Sequence, residues 1–340
     1  MTQVQTRNAA GLRGRRATAD AHGRVASLAG GAAVAAGGRP RRRGRGPNTS
    51  GWWALFFLGP TAIGLGVFYV WPLIQTLYFS FTSWGPFGGH SFTGLANYRA
   101  LLHDPALSSA FLNTLWYCLL GLLGVPISLV LAQVLGRRGR RGVSVYRALM
   151  FLPVVTMPAA VAIVWRWLYN GNYGLINELL SKVGINGPYW ISSPHTALIA
   201  IAIVGIWSTI GYNMVILMAG LQSIPRTYYE AAELDGAGPV RQFFSVTLPL
   251  LTPSIFFVTV YSVIGSLQTF DLIYVLMGPS GQVANPALPQ AESVVYLFYQ
   301  DSFIEDNRGY GAAIAFVLML VIIAVTALQF RLQKRWVHYG

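Results

Sequence analysis

The sequence predicts an all-α integral membrane protein with six transmembrane helices and both termini in the cytoplasm. Three observations predict it. Charged residues make up 10% of the chain and hydrophobic ones 54%, whereas soluble domains are about a quarter charged. Six apolar stretches reach the length of about 20 residues that a hydrocarbon core requires. The basic residues also divide by side. Of 24 Lys and Arg, ten precede residue 50, five lie in 136–147, two in 223–247 and three after 330. Arg99, Lys182 and Arg308 fall in the alternate loops, so the positive-inside rule sets both chain ends in the cytoplasm, as an even number of crossings also requires.

The spans are expected near 52–79, 109–135, 148–168, 195–222, 248–277 and 310–330. Each must satisfy its own backbone hydrogen bonds in lipid, which selects helices; no alternating ten-residue pattern suggests a barrel. The net charge of +13 is spread along one face of a membrane. It argues for contact with lipid headgroups and against a nucleic-acid partner.

Residues 1–50 are rich in Arg, Gly and Ala without apolar periodicity, a composition expected of a disordered basic cytoplasmic tail. The apolar stretch after Arg15-Arg16 is short and broken by glycines, unlike an export signal. Residues 51–340 form the membrane domain. Trp52-Trp53 open the first span and Tyr69, Trp71 and Tyr78 lie towards its far end, as interfacial belts would place them. Pro72 is expected to bend or end that helix. A polar external loop at 80–108 follows, then the second span with the lone Cys118, which has no partner for an intrachain disulfide. A tight arginine turn at 136–141 leads into the third span. External loops are expected at 170–194 and 278–309.

The inner segment 223–247 stands apart. A helix-forming run, Tyr228 to Leu234, is broken by Asp235-Gly236-Ala237-Gly238-Pro239, and a second run, Val240 to Thr247, enters the fifth span at Leu248-Pro249. The pattern is Glu230-Ala231-Ala232, three residues, Gly236, nine residues, then Val246-Thr247-Leu248-Pro249.

That spacing resembles the Glu-Ala-Ala loop of the permeases of bacterial ATP-binding-cassette importers, with Val246 for the usual Ile. Further likeness, to the maltose-type sugar-uptake branch, lies in Gly94-Leu95-Ala96-Asn97-Tyr98, Asn113-Thr114-Leu115, Leu221-Gln222-Ser223-Ile224-Pro225, Asp235-Gly236-Ala237, Leu248-Pro249-Leu250-Leu251 and Phe270-Asp271-Leu272-Ile273-Tyr274. It covers about 52–338 and departs at Met277-Gly278-Pro279-Ser280-Gly281. The resemblance implies a type I importer permease whose loop docks on a cytoplasmic ATPase through Glu230, Ala231, Ala232, Asp235 and Gly236. It also implies a second related permease, an ATPase dimer carrying ATP and Mg, and an extracytoplasmic solute-binding protein. The small alanines permit close approach, Gly236 permits a backbone turn and Glu230 offers a charged acceptor. An amphipathic connector with a glycine C-cap would share those features.

Two polar patches sit inside apolar spans. Ser262, Ser266 and Thr269 are spaced i, i+4, i+7 on the fifth, and Ser208, Thr209 and Tyr212 cluster on the fourth. Maltose-type permeases hold their sugar on these two helices, so the six residues are candidate substrate contacts. Small polar residues that bind helices together are the alternative. Neutral donors with an aromatic ring suit a sugar, with a sugar phosphate or a polyol as the other solutes considered.

Both lysines, Lys182 before Val and Lys334 before Arg, lack the context of a phosphate-binding loop, so ATP hydrolysis belongs to another chain. No His, Cys or acidic cluster has metal-ligand spacing and no catalytic triad can be drawn. Neither a metal, a resident cofactor nor enzymatic activity is expected of this chain. Arg166 and Asp271 lie near external span ends and His195 at an interface. An ion-coupled carrier would want an ionisable group near the midplane, which the spans lack.

Overall fold

The computed structural model describes residues 49–84, 88–136, 142–278 and 285–337. The basic tail before residue 49, the arginines at 137–141 and Pro279-Ser280-Gly281 lie outside the described residues. The chain divides into two units, Met1–Leu58 and Gly59–Gly340. The described part of the first is helix throughout, with Trp53 stacked on Phe57 at 6.2 Å and edge-on to Phe56.

Helix α1 (Thr49–Leu65) runs through a π-turn at Gly66–Val70 into α2 (Trp71–Ser80). Pro72 therefore neither ends nor sharply breaks the first span. It directly follows a π-turn in which the Trp71 N–H reaches the Gly66 carbonyl, and that turn absorbs the hydrogen bond that Pro72 cannot make. A short hairpin follows, within the segment expected to be an external loop. Strands β1 (Thr82–Trp84) and β2 (His90–Phe92) pair antiparallel, Ser83 opposite Ser91. The side-chain amide of Asn97 on α3 (Ala96–His103) donates to the carbonyls of Ser80 and Thr82, both at 2.9 Å, tying the hairpin down.

Asp104 caps α4 (Pro105–Gly121) by accepting from the Ala106 N–H at 2.8 Å. After a turn at 122–123 the chain continues as α5 (Gly124–Gly136), and the two pieces together make the second candidate span, Pro105–Gly136.

The third span departs most from expectation. Instead of one helix over 148–168 there are two, α6 (Val143–Val155) and α7 (Pro158–Leu168), bent by 102°. Pro158 starts α7 and forces Met157 out of helical space, and Thr156 is extended as well (φ −79°, ψ 140°). Neither piece reaches the about 30 Å of a bilayer core at 1.5 Å per residue. Among the described residues five helical stretches are long and apolar enough to cross alone, and a sixth crossing needs this bent pair to act as one.

Beyond α8 (Leu175–Lys182), α9 (Ala197–Ser223) forms the centre of the bundle. It packs against α4, α5, α6 and two later helices, and small residues let it do so. A side chain on Gly211 would overlap the Met150 carbonyl of α6, and one on Gly205 would overlap the Tyr117 hydroxyl of α4. Beside them Val125, Leu129, Met214, Leu217, Leu251 and Val258 form one buried cluster.

Next come α10 (Arg226–Leu234), α11 (Pro239–Gln242), a π-turn at Phe243–Thr247 and α12 (Leu248–Leu267). The fifth span was expected to run on to 277. It stops at Leu267, breaks over 268–270 and resumes as α13 (Asp271–Met277). The break is tolerated because its freed backbone finds partners: Ser293 donates to the Thr269 carbonyl at 2.7 Å and the Thr269 N–H donates to Ser266 at 3.3 Å. Finally α14 (Val294–Tyr299), a π-turn at Gln300–Ile304 and α15 (Arg308–Gln333) close the chain.

Candidate functional site: a hydroxyl-lined cavity and a helical platform

A cavity of about 330 Å³ opens between α4, α9, α12 and the bend separating α6 from α7. All six residues singled out on the fourth and fifth spans, Ser208, Thr209, Tyr212, Ser262, Ser266 and Thr269, line it. The helical spacing brings Ser262 and Ser266 there on one face of α12. Thr269 arrives differently, from the break beyond the helix end. The sequence reading missed Tyr117, Thr156 and Tyr261, which also line the cavity. Tyr261 lies four residues before Gly265 on the same face, a recoverable signal; Tyr117 and Thr156 carry none that singles them out.

The hydroxyls are poised as acceptors. Ser208 donates to the Val204 carbonyl at 2.8 Å and Thr209 to that of Gly205 at 3.0 Å, within their own helix, which leaves their oxygen lone pairs for a ligand. Ser262 accepts from the amide of buried Asn213 at 3.3 Å. Tyr117 stands beside Thr269 in the cavity wall. The rings of Tyr212 and Tyr261 lie 4.7 Å apart, inclined at 37°. In all, nine lining side chains carry hydroxyls, and no Lys, Arg, His, Asp or Glu is among the described lining residues.

The charged residues flagged near span ends lie elsewhere. Arg166 donates to the Val275 carbonyl at 3.4 Å, capping α13, while Asp271 opens that helix exposed to solvent. His195 is exposed before α9. Among the described residues no three His, Cys, Asp or Glu side chains form a metal group.

At the other end of α9 the second feature stands clear of the bundle. Glu230, Ala231 and Ala232 occupy the middle of α10, and Asp235 and Gly236 its end. Gly236 takes φ +74°, the left-handed conformation that favours glycine. The Ala237 N–H then reaches back to the Ala232 carbonyl at 2.9 Å and the Gly236 N–H to that of Glu233 at 3.0 Å, a Schellman closure of the helix. Gln242 latches the turn by donating to the Ala237 carbonyl at 3.0 Å. The outer surface is open and partly apolar, with Leu234 91% exposed and Val240 and Phe244 exposed beside it. Glu230, Ala231, Asp235 and Gly236 are exposed too, and Ala232 partly so.

A bundle of apolar helices around a hydroxyl-lined cavity, with a helix-turn-helix platform at one end, defines a membrane permease. The chain belongs to the family described as the binding-protein-dependent transport system inner membrane component, which matches residues 124–338. It is 35% identical over 291 residues to the sn-glycerol-3-phosphate transport system permease protein of Yersinia enterocolitica, covering 85% of this chain and 96% of that one. To the sulfoquinovosyl glycerol transport system permease protein of Agrobacterium fabrum it is 33% identical, covering 82% and 89%. To the probable ABC transporter permease protein YesP of Bacillus subtilis it is 36% identical, covering 83% and 91%. The fold matches a chain in the crystal structure of a bacterial ABC transporter that imports the acidic polysaccharide alginate, with TM-score 0.74 at 21% identity over 84% of this chain and 96% of that one. The protein is a multi-pass permease subunit of an ABC importer.

Proposed function

We propose that this subunit carries an uncharged sugar or oligosaccharide, and that the hydroxyl-lined cavity is its passage. One observation carries the reading: nine hydroxyl side chains and no charged one line the cavity among the described residues. Hydroxyls that accept, a tyrosine pair that offers ring faces, and no fixed charge suit a neutral polyol ring. Its relatives' names favour a second reading, since one transports sn-glycerol-3-phosphate. A phosphate passing through this chain's own wall would want an arginine or lysine there.

In this reading both termini are cytoplasmic, and a second, related permease completes the pathway. Two ATPase chains, which bind ATP and Mg, seat the platform formed by Glu230, Ala231, Ala232, Asp235 and Gly236. Closure of the ATPase pair moves α10 to α12 and alternates access to the cavity, while an extracytoplasmic binding protein delivers the solute. The test is uptake by the complete transporter of radiolabelled neutral saccharides against sn-glycerol 3-phosphate. Saturable uptake of a neutral saccharide that Ser266→Ala weakens supports it. Uptake of the phosphate ester alone refutes it.

A further inference from the structure

A second pocket, of about 600 Å³, lies between the start of α4 and the segment 285–300. Its walls are held in place by side chains. Asn113 donates to the carbonyls of Pro289 and Glu292 at 2.9 and 3.2 Å, and Thr114 accepts from the Val294 N–H at 3.1 Å. Asn285 donates to the Ile191 carbonyl at 2.9 Å. The pocket is therefore built before anything enters it.

Its chemistry is acidic and unbalanced. Glu292 lines it at 8% exposure, with no hydrogen-bond or ion-pair partner for its carboxyl among the described residues. One carboxylate oxygen of neighbouring Asp301 is likewise buried and unpartnered. Asp104 stands close to both; it accepts from Ala106 and from the Tyr310 hydroxyl. Glu305, which accepts from Gln300 at 3.2 Å, adds a fourth carboxyl. The ion pairs among the described residues, Lys182 with Glu178 and Arg308 with Asp306, leave all four uncompensated. Of the four only Glu292 is buried and lines the pocket; ionised there without a counter-charge it would cost several kcal/mol, which points to a cation from outside the chain. The volume is far too large for a bare ion, and no three acidic, His or Cys side chains converge to hold a metal.

We propose that this pocket is a socket for a basic side chain, a lysine ammonium or an arginine guanidinium, on the docked extracytoplasmic binding protein. The proposal rests on the importer reading above, in which the segment 285–307 faces outward. Burial, and after it repulsion from nearby carboxylates, push the Glu292 and Asp301 carboxyls up to about 7 each, Asp301 and Asp104 acting on the first and Glu305 and Asp104 on the second. A cation needs them ionised. Docking should therefore tighten as pH rises through about 7 and level off above about 8.

The test uses the complete transporter in lipid nanodiscs and the purified binding protein of the same transport system, with affinity measured from about pH 6 to 8. Wild type should bind roughly tenfold tighter at the upper pH. Glu292→Gln and Asp301→Asn should each weaken binding roughly tenfold there and flatten the profile, while Glu178→Gln, on the exposed pair with Lys182, should leave it unchanged. Equal affinity and pH profile in both pocket variants overturns the socket alone. Stabilisation of the transporter by sodium or calcium without the binding protein, lost in Glu292→Gln, also overturns it, in favour of an inorganic cation. Failure of wild type to bind at any pH sinks the importer assembly itself, and the socket with it.

Discussion

The hydroxyls of Tyr229, on the platform helix α10, and Thr247, at the foot of α12, hydrogen-bond at 3.0 Å. Through this contact the platform is joined sideways to a cavity-lining helix as well as along the chain. A push on α10 thus has a direct route to the wall that carries Ser262 and Ser266. One such bond contributes about 1 kcal/mol net. Tyr229→Phe should leave assembly intact but loosen coupling, so that ATP hydrolysed per solute imported rises several-fold in proteoliposomes. An unchanged ratio would discard the contact as a transmission element.

The turn beyond α10 makes a sharper prediction. Gly236 has open space around it, so a larger side chain meets no neighbour, and only its φ of +74° resists substitution. Gly236→Val should insert normally yet lose most ATP-driven uptake, because a β-branched residue is strained there by roughly 1–2 kcal/mol or more. Asparagine tolerates the left-handed region, so Gly236→Asn should keep a substantial part of the activity. Equal loss in both variants would point to crowding against a partner instead of backbone geometry.

In the cavity, Ser266→Ala and Thr269→Ala should each raise the KM for uptake by about tenfold, the scale of one lost hydrogen bond to solute, with membrane levels unchanged. The measurement is initial-rate uptake alongside quantitative immunoblotting. Unaltered KM in both removes these residues from the passage.

Two glycines separate packing from transport. Gly211→Ala collides with the Met150 backbone and should cost about 1–3 kcal/mol of stability. Gly265→Ala meets nothing within 4 Å, so its stability should hold or rise while the added methyl narrows the cavity. Thermal unfolding in detergent compares the two, and a Gly265→Ala protein that melts early would contradict the cavity's position.

Glu292 also governs stability with pH. Its folded pKa of about 7 lies above the usual carboxylate value, so its protonated form favours folding. That contribution is full below about pH 4.5 and is lost as pH rises through 7. Glu292→Gln mimics the protonated acid and should melt a few degrees above the wild-type chain at pH 8 and level with it at pH 4. A variant less stable at pH 8 would mean that the carboxylate has a counter-charge.

The six cavity residues were legible because hydroxyls are conspicuous inside apolar spans. The platform was legible because a glycine and a proline must interrupt its helices at fixed places. Tyr117 was not, since a tyrosine in a span reads equally well as packing, and only Gly205 and Thr269 across the bundle reveal its place. Nor did composition separate Glu292 from the solvated acids of a polar loop; its burial depends on Asn113, 179 residues away, gripping its backbone. The bend at 156–157 had its prolines in plain view, but hydropathy averages over a window and passes smoothly across them.

Thr156 and Met157 put an extended joint into the cavity wall between two short rods. The torsions of these two residues set the 102° between the rods. The calibre of that side of the passage therefore follows from two backbone torsions, while α9, in close glycine contact with α6 and α4, fixes where the first rod lies.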